Sequence, residues 1–333
     1  PMKGLKKWVR SAQHMDPRLV ILTLGPELYS TKRLIEEAEK EGWAVRLVDY
    51  RKVSPVVDDK GVRIYYKGWP IECEAVLPRI GASHTKKGVP IVEMFESMGV
   101  IVINKGEGIR CSRDKLRGSQ ILMEAGVPVP TTVNVGAWED TIRAVNQVGG
   151  TPCVVKSNEG THGSTVFLAR TEQQARQLVY QMLDRGMRPL VQEYIQESHG
   201  QDIRALVVGG KVVAAMRRKA HGSEFRSNFH LGGSVEPVEI SDRYAEIACT
   251  AARTLGLDLA GVDMLESRSG ALVLEVNSSP GLEGIESVMG KGFVAAEVVR
   301  MLNRKLEEAR GDTGSPKSSE MSGAGSDASS VYD

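Results

Sequence analysis

Residues 261–281 read GVDMLESRSGALVLEVNSSPG, and the reading of this stretch decides the fold. Two apolar runs, 259–265 and 271–276, flank the polar Ser267-Arg268-Ser269-Gly270, a turn signal between two strands. A loop centred on Ser269 puts Asp263 directly across from Glu275, because the two are equidistant from it. Side chains at i and i+2 share one face of a strand, so Asn277 points the same way as Glu275. Opposed carboxylates whose Cβ atoms lie roughly 4.5–5.5 Å apart repel, and the arrangement asks for a cation. Two carboxylates and an amide oxygen are hard donors that suit Mg²⁺, an ion that usually keeps some water and binds substrate phosphates as well. A half-buried hairpin whose acids face water fits the same spacing. Ser278-Ser279-Pro280-Gly281, a backbone-rich loop beside the carboxylates, weighs toward a site.

The 333 residues exceed the roughly 250–300 at which one core stops growing, which predicts two or three domains. Hydrophobic residues at 41% and charged residues at 26% are ordinary globular proportions. The 43 basic and 42 acidic residues leave a net charge of +1, which argues against a surface devoted to nucleic acid. No apolar run approaches the roughly 18 residues of a membrane span, and the chain start carries no signal-peptide apolar segment. Cys73, Cys111, Cys153 and Cys249 are scattered, with neither CxxC nor metal-ligand spacing. A cytoplasmic protein is expected, its cysteines buried as small apolar groups rather than cross-linked.

Residues 1–16 are basic and read as a peripheral extension, with a short amphipathic helix around Leu5, Trp8 and Val9. From Arg18 the chain runs through LVILTLG, the helical TKRLIEEAEKEG and then AVRLVDY. Strand, helix, strand with short connections is a βαβ unit with a parallel sheet. Strand-like 75–77, helical 89–98 and strand-like 100–103 continue it, so an α/β domain is expected over 17–112. A helix over 114–125 stops at Gly126, ahead of the breaker Pro128-Val129-Pro130. Strands at 131–135, 152–156, 167–169 and 190–193, with helices at 138–148 and 172–185, form a second module placed at 113–190. The third, 191–308, carries β segments at 203–208, 211–216, 259–265 and 271–276 and helices near 241–255 and 291–308. Residues 309–333 turn to Gly, Ser and charge and read as disordered.

Lys156 ends an apolar strand ahead of a loop, SNEGTHGST, whose backbone N–H groups and one ammonium suit a polyphosphate. The spacing is not that of a P-loop, and a glycine-containing hairpin turn is the commoner explanation. Val191-Gln192-Glu193-Tyr194-Ile195 offers a strand edge to an adenine, with Asp202 for a ribose hydroxyl; an ordinary strand and loop also fits. The segment 217–230 crowds basic groups and imidazoles between aromatics. It reads as a solvated face, as an RNA surface, or as a cluster that neutralises an acyl phosphate. Asp202-Ile203-Arg204 reads as an anion contact or as a salt bridge at a strand start. Cys111 and the six histidines lack nucleophile or metal spacing, although His84 and His162 sit in loops open to a substrate.

Along the chain stand, in order, Lys115, Lys156 with its glycine loop, Gln192-Glu193-Tyr194-Ile195, Asp202-Ile203-Arg204, Glu224-Phe225-Arg226-Ser227-Asn228, and Asp263 followed by Glu275-Val276-Asn277-Ser278-Ser279-Pro280-Gly281. That series resembles the ATP-grasp ligases and, within them, the RimK family. The family's LYS-x-KRL is matched at 28–34, PRIG at 78–81, RDKLRS at 113–118 with Gly118 in last place, and EVNSSPGLEGIE intact at 275–286. The likeness runs over residues 18–305. It implies an α/β protein with the ATP-grasp fold: an N-terminal pre-ATP-grasp domain with a parallel sheet, a central lid domain and a C-terminal α+β domain.

The resemblance also implies ATP-dependent joining of a carboxylate to an amine through an acyl phosphate. Carried over by position, Lys115 and Lys156 hold ATP phosphates, Glu193 and Tyr194 the adenine edge, and Asp202 the ribose. Arg226, Ser227 and Asn228 meet the phosphates and the acyl phosphate, while Asp263, Glu275 and Asn277 hold two Mg²⁺ or Mn²⁺ ions. Arg226 and backbone N–H groups near Gly281 are suited to a tetrahedral oxyanion. The implied partners are glutamate or another amino acid, and an acidic protein or peptide C-terminus such as that of a small-subunit ribosomal protein. A homo-tetramer is implied too, with no membrane and no direct nucleic-acid partner. Three departures bear on the substrate. Ser164 and Thr165 replace residues of the family's GTQGIG loop, Ala82-Ser83-His84-Thr85-Lys86-Lys87 is more basic than usual, and Leu231 stands where the family has an arginine. A relative acting on a small molecule or cofactor tail, or a nucleotide-binding adaptor without turnover, is the competing expectation.

Overall fold

A computed structural model describes residues 17–159, 165–221 and 233–312. The first sheet is built from β1 (Arg18–Thr23), β2 (Ala44–Val48), β6 (Ala75–Arg79) and β7 (Ile101–Val102), in the order β2-β1-β6-β7 with every pair parallel. Alternation along β1 divides two cores. Leu19 and Ile21 join one with Leu34 of the helix Tyr29–Lys40, while Val20 and Leu22 join the other with Val92 and Phe95 of the helix Thr85–Ser97. Between β2 and β6 lies a small antiparallel sheet that the sequence reading missed: β3 (Val53–Asp58), β4 (Gly61–Tyr66) and β5 (Trp69–Pro70). Five of the six β3 residues are exposed, so no buried face imprints a pattern on it. The helix Gly106–Arg113 is likewise additional, and the strand expected over 100–103 shortens to two residues.

The central sheet contains β8 (Thr132–Asn134), β9 (Cys153–Ser157), β10 (Val166–Ala169) and β11 (Pro189–Glu193), antiparallel in the order β10-β9-β11-β8. It keeps a core of its own, in which Val155 and Val191 meet Ala144, Val145 and Val179 of the covering helices. Because β11 is an inner strand here, this sheet reaches Glu193, past the boundary expected at residue 190.

The C-terminal sheet, β12 (Gln201–Val208), β13 (Lys211–Lys219), β14 (Ser234–Pro237), β15 (Leu259–Ser267) and β16 (Gly270–Asn277), is antiparallel in the order β14-β13-β12-β15-β16. One face of β12, through Ile203, Ala205 and Val207, packs on Ala248, Ala251 and Ala252 of the helix Asp242–Thr254. On the other, Leu206 and Val208 enter the same core as Leu19 and Ile21, so the first and last sheets share apolar burial. Asn104 ties them together: its amide donates to the carbonyls of Leu259 at 2.6 Å and Ser278 at 2.9 Å and accepts from the Leu259 N–H at 2.9 Å. The buried Glu286 carboxylate accepts from the N–H groups of Gly292, Val294 and Ala295, caps the helix Phe293–Asp312, and also accepts from the Tyr29 hydroxyl. That helix continues through Asp312, which corrects the disordered tail expected from 309. Buried Leu302 and Leu306 hold its inner face, and Arg310, a charge that suggested disorder, is exposed. The helix Glu283–Met289 and strand β14 were not expected. The basic extension 1–16 and the tail from 313 lie outside the described residues, among which no helix is long and apolar enough to cross a membrane.

A tight seam predicts a mutational effect. A Cβ on Gly108 would lie 2.8 Å from the carbonyl oxygens of both Leu255 and Gly256, neither of which can swing aside. Gly108→Ala is expected to cost about 1–3 kcal/mol, read as a lower urea midpoint with unchanged slope. Gly281→Ala, whose Cβ meets nothing within 4 Å, is expected to leave the midpoint in place. Equal midpoints for the two variants would show that the helix Gly106–Arg113 is not seated as described.

Candidate active site

A cavity of about 750 Å³ opens where the central sheet and the first sheet overhang the C-terminal one. Its floor is a row of charges on the face that, further along the same strands, is apolar. Asp202, Arg204, Leu206 and Val208 are alternate residues of β12; the last two pack into the shared core and the first two line the cavity. Register sets each charge opposite its partner: Asp202 faces Arg218 across β13, and Arg204 faces Asp263 across β15. Arg204 makes two 2.6 Å contacts to Asp263, one to each carboxylate oxygen. Arg218 grips both oxygens of Asp202 and also reaches Asp263 Oδ2 at 2.9 Å. Burial pushes the Asp263 carboxyl up, but the two guanidinium groups outweigh it and hold it below the ordinary carboxylate range.

The hairpin itself arrives at the expected pairing by a different route. Ser267 pairs with Gly270 around the two-residue turn Arg268-Ser269, which alone would set Leu274 opposite Asp263. A bulge between Asp263 and Met264 leaves Leu274 unpaired and brings Glu275 opposite Asp263 instead. Asn277 stands on the same face, its amide nitrogen 3.2 Å from Glu275 Oε1 and 3.4 Å from Asp263 Oδ2. Amide nitrogen and oxygen are exchanged by a half-turn of the side chain, so this convergence fits either a bridging N–H or a third oxygen donor. Two carboxylates and an amide suit a hard divalent cation that shares its shell with substrate phosphates. Such an ion competes with Arg204 and Arg218 for Asp263. Among the described residues no cluster of three or more His, Cys, Asp or Glu could hold a metal.

Lys156, at the end of β9, is 4% exposed and donates to Gln192 Oε1 at 2.9 Å; Gln192 in turn donates to the Thr132 hydroxyl. Lys115 begins the helix Lys115–Glu124, which Asp114 caps by accepting from the Arg117 N–H, and its side chain lines the cavity. Glu193 and Tyr194 line the wall where β11 ends; the Glu193 carboxylate accepts from the Thr131 N–H at 3.2 Å, and the Tyr194 hydroxyl meets His199. Gly281 lies on the rim beside Pro280 with open space where a side chain would be. Arg226, Ser227, Asn228 and His162 lie outside the described residues. The basic run divides by parity: Arg218 turns inward, whereas Arg217 pairs with Glu266 and Glu236 and Lys219 with Glu236. Asp202-Ile203-Arg204 is a strand-start salt-bridge segment, and both Asp202 oxygens are committed to Arg218. Sequence reasoning missed Arg79, Arg113 and Arg218 as cavity residues, although PRIG and RDKLRS pointed to the first two. Burial pushes the thiols of Cys111 and Cys153 up to about 11 and that of Cys73 to about 12, which leaves no ready thiolate among them.

Comparison with known proteins identifies the family. Residues 18–109 match the RimK PreATP-grasp domain and residues 112–302 the RimK-like ATP-grasp domain. A probable alpha-L-glutamate ligase of Halorhodospira halophila is 43% identical over 299 residues, covering 89% of this chain and 98% of that protein. A probable alpha-L-glutamate ligase of Aeromonas salmonicida is 44% identical over 289 residues, covering 86% and 97%. Among solved structures, the ATP-grasp ligase PsnB in complex with a phosphomimetic variant of its minimal precursor, Mg and ADP superposes with a TM-score of 0.66 at 20% identity, covering 87% of this chain and 98% of that one. The chain belongs to the RimK-like ATP-grasp family and is an ATP-dependent ligase.

Lys156 supplies a pH test. Burial, outweighing the attraction of Glu275 and helped by Lys115, pushes its ammonium from the ordinary 10.5 down to about 8. Below 8 both folded and unfolded chains are protonated, and the fold carries the full cost of the buried charge. Between about 8 and 10.5 only the unfolded chain keeps the proton, so unfolding free energy climbs with pH across that window. In Lys156→Met that climb is expected to be missing. A stability difference between the two proteins that stays constant across the window would contradict it.

Proposed function

We propose that this RimK-like ATP-grasp ligase adds glutamate, through its amine, to the C-terminal carboxylate of a protein or peptide by way of an acyl phosphate. One observation carries the reading: Asp263, Glu275 and Asn277 converge in the cavity that also receives Lys115 and Lys156. Paired acids beside the buried Lys156 ammonium and the half-buried Lys115 match a polyphosphate held with its counter-cation. The glutamate ligase relatives support the amine, and the precursor held by PsnB supports a peptide acceptor. The C-terminus of a small-subunit ribosomal protein is one such acceptor.

In this reading an oxygen of the acceptor carboxylate attacks the γ-phosphorus and ADP leaves. The amine nitrogen then attacks the acyl carbon, phosphate departs, and the nitrogen gives up a proton as the amide forms. Lys115 and Lys156 hold the phosphates, the Glu193 and Tyr194 edge receives the adenine, and Asp202 lies toward the ribose while anchoring Arg218. Arg226, Ser227 and Asn228 approach the transferring phosphate, and Arg226 with the backbone at Gly281 steadies the tetrahedral oxyanion. Asp263, Glu275 and Asn277 would hold Mg²⁺ or Mn²⁺, which when bound offsets phosphate charge. The modules divide near residues 112 and 193, the last one running to the end of the helix Phe293–Asp312, and the protein works in the cytoplasm.

Purified protein given ATP, Mg²⁺, glutamate and an acidic peptide is expected to release ADP and phosphate and to lengthen the peptide by whole glutamyl residues in its mass spectrum. AMP and pyrophosphate as products would sink the acyl-phosphate route. Glu275→Ala is expected to lower turnover by at least roughly 100-fold with little change in melting temperature; unchanged turnover would remove the metal assignment.

A further inference from the structure

We propose that Arg79 and Arg113 form a subsite for a carboxylate that does not itself react, one belonging to the incoming amino acid. The inference rests on the ligase reading above and names how the amine substrate is chosen. Both guanidinium groups line the cavity, yet among the described residues each is anchored only by a neutral carbonyl. Arg79 Nη2 donates to Pro280 O at 2.7 Å and Arg113 Nη2 to Ile80 O at 2.9 Å. Arg79 Nη1 and Arg113 Nε are buried with no hydrogen-bond partner, as is the hydroxyl of Ser279, which lines the same cavity. Neither arginine has an ion pair among the described residues. Arg204 and Arg218, on the floor of that cavity, are each satisfied by carboxylates.

The Arg79 and Arg113 side chains are half-buried, and Glu275 attracts Arg113 without pairing with it; buried donors left unpartnered are costly, and the two cations repel one another. Burial and the nearby Arg113 push Arg79 down to about 10. A ligand carboxylate answers both costs, because its two oxygens match the planar fork of a guanidinium. Position supports the same occupant. Arg79 ends β6, and the segments following β1 and β6 both border the cavity. The chain leaves β1 for β2 on one side and returns to β6 on the other, so this is the switch point of the parallel sheet, where such sheets bind ligands. Pro280, which holds Arg79, lies between Asn277 and the open backbone at Gly281, so the subsite adjoins the acid face without being part of it. Glutamate as the amine brings two carboxylates that take no part in bond formation. Set beside phosphates and Glu275, such a group needs a fixed cation.

Steady-state kinetics of the full-length enzyme with saturating MgATP test the assignment. Arg79→Gln and Arg113→Gln are each expected to raise the KM for glutamate roughly 10- to 100-fold while leaving the KM for ATP unchanged. Glutamine and glutamate α-amide, which lack the side-chain and the α-carboxylate in turn, identify the group held. Wild-type preference for glutamate over one amide should collapse in Arg79→Gln, and the other preference should persist. Arg79→Lys keeps the charge without the fork and should fall between wild type and Arg79→Gln, which separates recognition from misfolding. An unchanged glutamate KM, or an ATP KM that rises in step with it, overturns the proposal while leaving glutamate ligation standing. A wild-type enzyme with no glutamate-dependent ADP release removes the functional reading and the subsite with it.

Discussion

Two arginines on one face of the C-terminal sheet make its buried acids possible, and the rest of the site is arranged around them. Asp202 and Asp263 lie under 6% exposed, where an isolated carboxylate would give up its charge. Arg218 grips the first and bridges to the second, and Arg204 takes both oxygens of the second. Two acids against two bases leave this floor neutral, and Glu275 stands beside it as surplus negative charge. That surplus is felt by Lys156 and Arg113, on two other walls of the cavity. Removing one arginine strands a buried acid, a change that typically costs about 3–5 kcal/mol.

The same two-residue period builds both the core and the floor. Even-numbered residues of β12 begin as Asp202 and Arg204 and end as Leu206 and Val208. The change falls where the strand passes from the cavity to beneath the first sheet. Shared burial across that junction, with Asn104 holding the first residue of β15 and the residue just past β16, fixes the hairpin against the parallel sheet. The central sheet buries its apolar groups separately, so Lys156, Glu193 and Tyr194 enter the cavity from a module with its own core.

What was legible in the sequence had either a buried face or a motif. The parallel sheet, the central strands and the hairpin each carry apolar runs bounded by turns, and each forms close to its expected place. The small sheet β3-β4-β5 was not legible because β3 buries nothing that would set a period. The helix Phe293–Asp312 outran its expected end because a charged outer face resembles disorder until Leu302 and Leu306 are seen to be packed. Lys115, Lys156, Glu193, Asp202, Asp263, Glu275 and Asn277 share one cavity, and they were gathered by family motif rather than by spacing alone. Arg79 and Arg113 stood inside quoted motifs without a role, since local sequence does not reveal that their donors will be left unpartnered among the described residues.

The sequence by itself determined which side chains share a strand face, where the chain turns, and that the 261–281 stretch is a hairpin presenting acids. Those properties follow from residues a few positions apart. Only the tertiary structure decided that a bulge at Leu274 brings Glu275 opposite Asp263, that Arg204 and Arg218 occupy Asp263, and that Arg79 and Arg113, from two adjoining modules, have no acid partner among the described residues. Register and the partner of a buried charge are set by strands and walls far apart in the chain, whose approach no local pattern encodes.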